Sequence, residues 1–247
     1  MKTCKSLIIS SLLLILCHCA RAQNEFPAAW LFSINYAVQF PGGDMAQRFG
    51  TNTNIGITTE YMTKKNSWIL GFEGNYIFGS TVKENVLSNL LHNNIIYGRD
   101  RAVASIGLKE RGYYAGLFAG KLFSFSKNQR SGLRVTLGSG LLQHKIRIQD
   151  NNETVPQITG EYQKGYDRLT NGLAFNQFIG YQLISNNRRI NFYIGAEFMQ
   201  GFTQSRRDFD FDKMSADTEK RTDLLFGIRA GWTLPLYFNV NPDTIWY

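Results

Sequence analysis

Residues 30–40 read WLFSINYAVQF, and their alternation decides the fold. Trp30, Phe32, Ile34, Tyr36, Val38 and Phe40 share one face of an extended chain, and Leu31, Ser33, Asn35, Ala37 and Gln39 share the other. Side chains along a strand point to opposite faces in turn, so this is a strand with one broadly apolar face and one small or polar face. The pattern recurs along the rest of the chain. In 53–63, Ile55, Ile57 and Tyr61 oppose Asn54, Gly56, Thr58 and Glu60; in 67–79, Trp68, Leu70, Phe72, Tyr76 and Phe78 oppose Gly71, Glu73 and Asn75. In 131–145, Leu133, Val135, Leu137 and Leu141 oppose Arg134, Thr136, Gly138 and Gly140. Segments 171–184, 190–201 and 223–234 repeat it, placing Glu197 and Arg229 on the polar side. Segment 112–125, GYYAGLFAGKLFSF, is also a strand, but its periodicity leaves the inward face open.

The connections between these segments alternate in length. Stretches 41–52, 80–111, 146–170 and 202–222 are long, whereas 64–66, 126–130 and 185–189 are tight and polar. Long loops on one side and short turns on the other are the layout of an outer-membrane barrel with both termini in the periplasm. Each segment has room for the roughly 9–11 residues that a tilted strand needs to cross a bilayer. None of Pro27, Pro41, Pro156, Pro235 and Pro242 falls mid-strand in this reading, as a continuous ladder requires. The expectation is all-β: an eight-stranded antiparallel up-and-down transmembrane β-barrel over roughly residues 28–238, with a periplasmic tail at 239–247. A soluble periplasmic barrel is the alternative. Trp30, Phe40, Tyr61, Trp68, Phe78, Tyr181, Trp232 and Tyr237 fall near expected strand ends, where interfacial aromatics sit.

Upstream of the first strand, residues 1–23 read MKTCKSLIISSLLLILCHCARAQ. Lys2 and Lys5 precede an apolar run, and Ala20 and Ala22 place small residues before Gln23. This is a secretory signal with cleavage expected after Ala22, leaving 23–247 as the barrel domain. Its apolar run is shorter than the roughly 18–20 residues of a spanning helix. Cys4, Cys17 and Cys19 all lie within it, so the mature chain has no cysteine for disulfides, zinc or nucleophilic catalysis. Cleavage lowers the formal net charge from +8 to +5. An exported protein of that charge gives no argument for nucleic acid.

The polar face carries Glu60, Glu73 and Glu197 against Arg134 and Arg229. An eight-stranded barrel is only wide enough for side chains to fill it, so these charges are expected to pair as a plug rather than line a pore. His92 and His144 are the histidines outside the signal. They are the candidates for rim catalysis, which has no companion serine at a distinctive spacing. In the second long loop, Val86, Leu87, Leu90 and Leu91 would share a face of a short helix that covers the mouth, buries in it or docks a partner. The Arg206–Arg207 pair is a second docking candidate. Asp208, Asp210, Asp212 and Glu219 approach the acidic spacing of a calcium loop, but Lys213 stands where the required glycine would be. No cofactor is expected.

The segments LLQHKIRI, GYDRLTNGLAF, GFTQSRRDFDFD and LLFGIRAGWTLPLY, with the signal and the strand pattern, resemble small outer-membrane β-barrel proteins, most closely those of Bacteroidota. The resemblance covers roughly residues 28–238 and implies fold and location; the group has no established activity. The wider class includes passive anchors and accessory proteins of type IX secretion. The resemblance therefore implies a non-catalytic anchoring, docking or accessory role in the envelope. A lipid-modifying enzyme or protease with a rim histidine, and a passive structural barrel, are the alternatives. Expected partners are outer-membrane lipid, lipopolysaccharide and an envelope protein, with the barrel itself a monomer. Such barrels often end on an aromatic residue read by the insertion machinery. Tyr247 is such a residue, but NVNPDTIWY separates it from the last strand.

Overall fold

A computed structural model describes residues 27–64, 66–125, 130–151, 154–185 and 191–237. The expected signal, 1–22, and the tail, 239–247, lie outside the described residues. Eight strands follow one another: β1 (Ala29–Gly43), β2 (Asn52–Met62), β3 (Trp68–Gly79), β4 (Ile106–Ser124), β5 (Gly132–Asp150), β6 (Thr170–Ile184), β7 (Asn191–Ser205) and β8 (Lys220–Tyr237). Each pairs antiparallel with the next, and β1 pairs with β8 from Ala29↔Tyr237 to Gly43↔Asp223, which closes the barrel. Closure satisfies every strand edge, the condition for strands to cross lipid.

The alternation read in the sequence is the alternation of inside and outside. Ile34, Ile57, Leu70, Leu137, Leu173, Ile179 and Ile228 are all exposed on the outer wall. A continuous apolar belt of that kind is a lipid-facing surface. Trp30 and Tyr61 meet edge to face at 5.6 Å near the short-turn end, and the Lys121 ammonium lies 5.5 Å from the Trp68 ring. Tyr76 and Phe78 stack at 6.1 Å near the long-loop end. Trp232 departs from the expected girdle: it lies within β8 opposite Ile34.

The structure settles the phase of β4. Tyr114, Phe118 and Leu122 are buried in the lumen, while Tyr113 and Leu117 face outward. Lys121 is therefore on the outer wall and does not join the lumen charges. β4 and β5 each run for 19 residues, further than the alternation alone suggests. Above the belt, Leu108, Ile146 and Ile148 still point inward and pack into an apolar cluster at the mouth, so the hairpin continues where its inner face has something to bury. Two prolines lie within strands but near their ends: Pro41 in β1, in register with Leu225, and Pro235 in β8, in register with Leu31. Each is third from its strand end, where a missing amide donor costs least.

Inside, the short-turn half is apolar. Leu31, Met62, Ile69, Phe118, Leu122 and Ile184 pack across the lumen. Inward glycines make the room. A Cβ on Gly231 would lie 2.5 Å from the Tyr193 ring, and one on Gly71 would lie 2.7 Å from Phe118.

Candidate functional site

Above the apolar layer the lumen is charged and paired. Arg134 on β5 holds Glu60 on β2 through two contacts, Nη1 to Oε1 at 2.7 Å and Nη2 to Oε2 at 2.5 Å. It also donates to Gln182 at 3.0 Å, and its guanidinium lies 5.0 Å from the Tyr193 ring. Arg229 on β8 bridges two carboxylates, donating to Glu73 at 2.8 Å and contacting Glu197 through Nη2. Asn176 donates to the other Glu73 oxygen at 2.7 Å, and Gln39 donates to Glu197 at 2.5 Å. All five charged residues expected on the polar face are thus buried and joined in two ion-paired groups. The cavity between them, bounded by Thr58, Glu73, Arg134 and Arg229, measures only about 10 Å³. That is room for about one water molecule, not a solute.

A second polar layer lies nearer the loops. His144 Nε2 is 2.9 Å from Asp223 Oδ2, and Thr203 donates to the same oxygen at 2.5 Å. Asn52 donates to both oxygens of Glu110, at 3.0 and 3.1 Å. His144 has the lumen parity that the sequence indicates, but it is 1% exposed, with the Phe49 ring edge-on at 5.5 Å. It lies level with Thr170, the first residue of β6, and is closed off from solvent. His92 sits apart, in the turn bridging to Ile95.

The four long loops close over this layer as a cap. The first carries a one-turn helix, α1 (Met45–Arg48), whose Met45 is buried, followed by buried Phe49. It pairs with the second loop through Lys83 N to Arg48 O at 2.8 Å and Gly50 N to Thr81 O at 3.0 Å. The second meets the third through Arg99 N to Thr154 O at 2.8 Å, and the third meets the fourth through Phe211 N to Gly165 O at 3.0 Å. The Phe211 ring occupies the place of a Cβ on Gly165, 2.2 Å away, so only glycine permits this approach. Beneath the backbone ties, Met45, Phe49, Val86, Leu87, Val155, Ile158 and Tyr166 pack onto the inward Ile77, Tyr114, Leu142 and Met199.

One ionic cluster joins all four loops. Arg168 contacts Glu84 at 2.8 Å, Asp210 at 3.1 Å and both oxygens of Asp212 at 2.5 and 2.6 Å. Arg48 holds the second Glu84 oxygen at 2.8 Å. Burial alone would raise the Glu84 carboxyl, but the Arg48 charge and the Arg168 hydrogen bond outweigh it and bring it down to about 2.

Several sequence expectations change role here. Val86 and Leu87 are buried in the mouth and Leu90 packs against them. The segment forms only a short 3₁₀ turn, Ser88–Leu90, and its apolar face packs into the mouth cluster. Arg207 is committed to Asp167 through contacts at 2.7 and 2.6 Å, and Arg206 donates to Asn171 at 2.5 Å. Asp210 and Asp212 turn onto Arg168 rather than converging with Asp208 and Glu219. No group of three potential metal ligands assembles among the described residues. Sequence reasoning missed Arg168, whose charge in a basic loop gave no sign of burial. It also missed the exposed apolar residues of the cap, Tyr97, Val103, Tyr162 and Met214, each at least half exposed.

No protein-family model matches the chain, and no curated protein does. Among solved structures, it is similar to outer membrane protein AlkL in lipid bilayers, at 11% identity with a TM-score of 0.44, covering 91% of this chain and 97% of that one. It is similar to Neisserial surface protein A at 10% identity, with a TM-score of 0.42 and coverage of 83% and 97%. It is also similar to outer membrane protein OprG from Pseudomonas aeruginosa at 12% identity, with a TM-score of 0.39 and coverage of 86% and 98%.

Proposed function

We propose that this chain is a sealed outer-membrane barrel that acts without catalysis, anchoring or docking a component of the cell envelope through its loop cap. The observation that carries the reading is the filling of the lumen. An apolar layer, two paired polar layers and a capped apolar mouth follow one another along the barrel axis. A wall that faces lipid must be uniformly apolar, and a filled lumen is hidden from any partner. Specificity is then left to the ends of the barrel, as is usual where loops are held on a rigid scaffold. The burial of His144 supports a non-catalytic role. The apolar run at 1–22 supports export, and the resemblance to Bacteroidota barrels makes a type IX secretion assembly the first partner to test.

The cap offers Tyr97, Val103, Tyr162 and Met214 as exposed apolar anchors. Replacing all four by serine should leave a folded barrel and abolish crosslinking to a protein partner in intact cells. An unchanged crosslinking pattern would move the docking surface to the periplasmic end. Absence of any crosslinked partner in the unaltered protein would leave a passive structural barrel.

A further inference from the structure

On the outer wall of β4 and β5, four cations stand against one another in register. Lys109 pairs with Arg147 and Arg111 pairs with Lys145 across the ladder. All four point outward, because Glu110 and the neighbouring Ile146 and Ile148 are buried inside. Like charges directly opposite on one sheet face repel. The described residues provide little neutralisation: Arg111 donates to the Glu110 carbonyl at 2.5 Å, and Lys145 lies 3.9 Å from Asp167, which Arg207 already holds. Neither Lys109 nor Arg147 has a carboxylate within ion-pair distance among the described residues.

A second feature lies below it on the same strand. Tyr113 is the next outward residue of β4 after Arg111, and beyond Tyr113 the wall opens into a groove of about 610 Å³. Ile55, Ile57, Gly74, Tyr76, Tyr113 and Ala115 line it. The groove exists because Gly74 and Ala115, which face each other across β3 and β4, leave the wall bare between larger neighbours. A Cβ on Gly74 would meet only the Phe72 ring, at 3.8 Å, so among the described residues no other side chain crowds that position. Arg111 and Ala115 are four residues apart, roughly 13 Å along a strand. A cationic patch at the edge of the lipid belt and an apolar groove running down from it match the two ends of one lipid.

We propose that this side of the barrel binds one phosphorylated, acylated lipid of the membrane leaflet facing the long loops. Its phosphate lies across Lys109, Arg111, Lys145 and Arg147, and one acyl chain lies in the groove at Gly74 and Ala115. Arginine and lysine together suit this ligand, since the guanidinium forks onto phosphate oxygens and the ammonium adds a compact charge. The Tyr76 and Tyr113 rings mark the boundary where head group gives way to chain. The site rests on the membrane-spanning reading, and its test begins from barrels shown by heat-modifiable gel mobility to be folded and inserted. Failure of that control would fault the membrane reading and not the lipid site.

The full-length mature barrel, reconstituted in phosphatidylcholine nanodiscs doped with diphosphorylated lipid A, is released into detergent and its retained lipids are counted by native mass spectrometry. One lipid A is expected on the unaltered protein. Retention should fall by about tenfold or more in K109Q/R111Q/K145Q/R147Q, given the gain from each basic residue near an anionic surface. R147E, at the most exposed of the four positions, serves where the quadruple variant fails to insert, and should also weaken retention. Ala115→Phe, which fills the groove and leaves every charge, should lower it as well. Dephosphorylated lipid A should be held no better than phosphatidylcholine. Equal retention of phosphatidylcholine by the unaltered protein, or undiminished lipid A on the charge variants, would overturn the proposal. Displacement of lipid A by excess inorganic phosphate would overturn it too, since the patch would then be a free-anion site.

Discussion

Arg168 concentrates more of the cap's electrostatics than any other side chain described, because a fully buried guanidinium meets three carboxylates from two other loops. Removing one member of a buried ionic group leaves its partners uncompensated, at a cost of about 3–5 kcal/mol. Arg168→Ala should therefore loosen the cap while the wall stays intact. Hydrogen exchange checks this: the Lys83 and Phe211 amides, which tie neighbouring loops, should exchange faster, and the Ile34 amide should not change. Unchanged exchange at Lys83 and Phe211 would show that apolar packing alone holds the cap. Acid should act on the same cluster through Glu84. Its carboxyl is held down from 4.5 to about 2, so its stabilisation is complete above the ordinary value and is lost as pH falls through the lowered one. Protection factors of the loop-cap amides, taken against the intrinsic exchange rate at each pH, should be flat from neutral pH to about 5 and should fall between about 4.5 and 2.

At the scale of the strand, β4 is the informative element, since its sequence supports either phase and only the closed barrel chooses. GYYAGLFAGKLFSF has large apolar residues at both parities. The lumen accepts Tyr114 and Phe118 because inward glycines leave space: Gly71 of β3 stands opposite Phe118, and Gly116, two residues further along β4, lies beneath the Tyr114 hydroxyl. The outward parity leaves Leu117 in mid-belt at 66% exposure, which lipid would cover. Leu117→Arg should destabilise the inserted barrel by about 2–4 kcal/mol, the cost of a cation near the bilayer midplane. Urea unfolding from phosphatidylcholine vesicles reads that loss. Lys121→Leu, near the short-turn interface, should change stability far less. A neutral outcome for Leu117→Arg would show that the phase, or the membrane itself, has been misread.

For the molecule as a whole, the proposed sealed barrel turns on how completely the described side chains fill the lumen. The ion pairs Glu60–Arg134 and Glu73–Arg229–Glu197 fill the middle of a barrel too narrow to leave a channel beside them. Planar-bilayer recordings of the folded protein should show no sustained solute-sized conductance. Arg168→Ala should not create one, because the two lower layers remain after the cap loosens. A stable large channel in the unaltered protein would show that the layers part in the membrane. Steady current only in the Arg168→Ala variant would make the cap the sole barrier.

The strand count, the closed antiparallel order and the membership of the lumen charge group were legible in the alternation, because a wall between lipid and a narrow interior forces every strand to sort its residues by parity. Glu60, Glu73, Arg134, Glu197 and Arg229 follow from that rule alone. The roles of the loop residues were not legible. Val86 and Leu87 read equally well as a docking face or a plug, Arg206 and Arg207 read as a docking pair, and the Asp208–Asp212 run read as an incomplete calcium loop. Period-two alternation carries no information about which loop folds over which, and an ion pair such as Arg168 with Asp212 joins residues 44 positions apart. Local sequence therefore determined the wall, since each strand's chemistry is set by the two media it separates. Tertiary structure alone decided the cap, since its packing and charge pairing exist only once four distant loops meet over the same mouth.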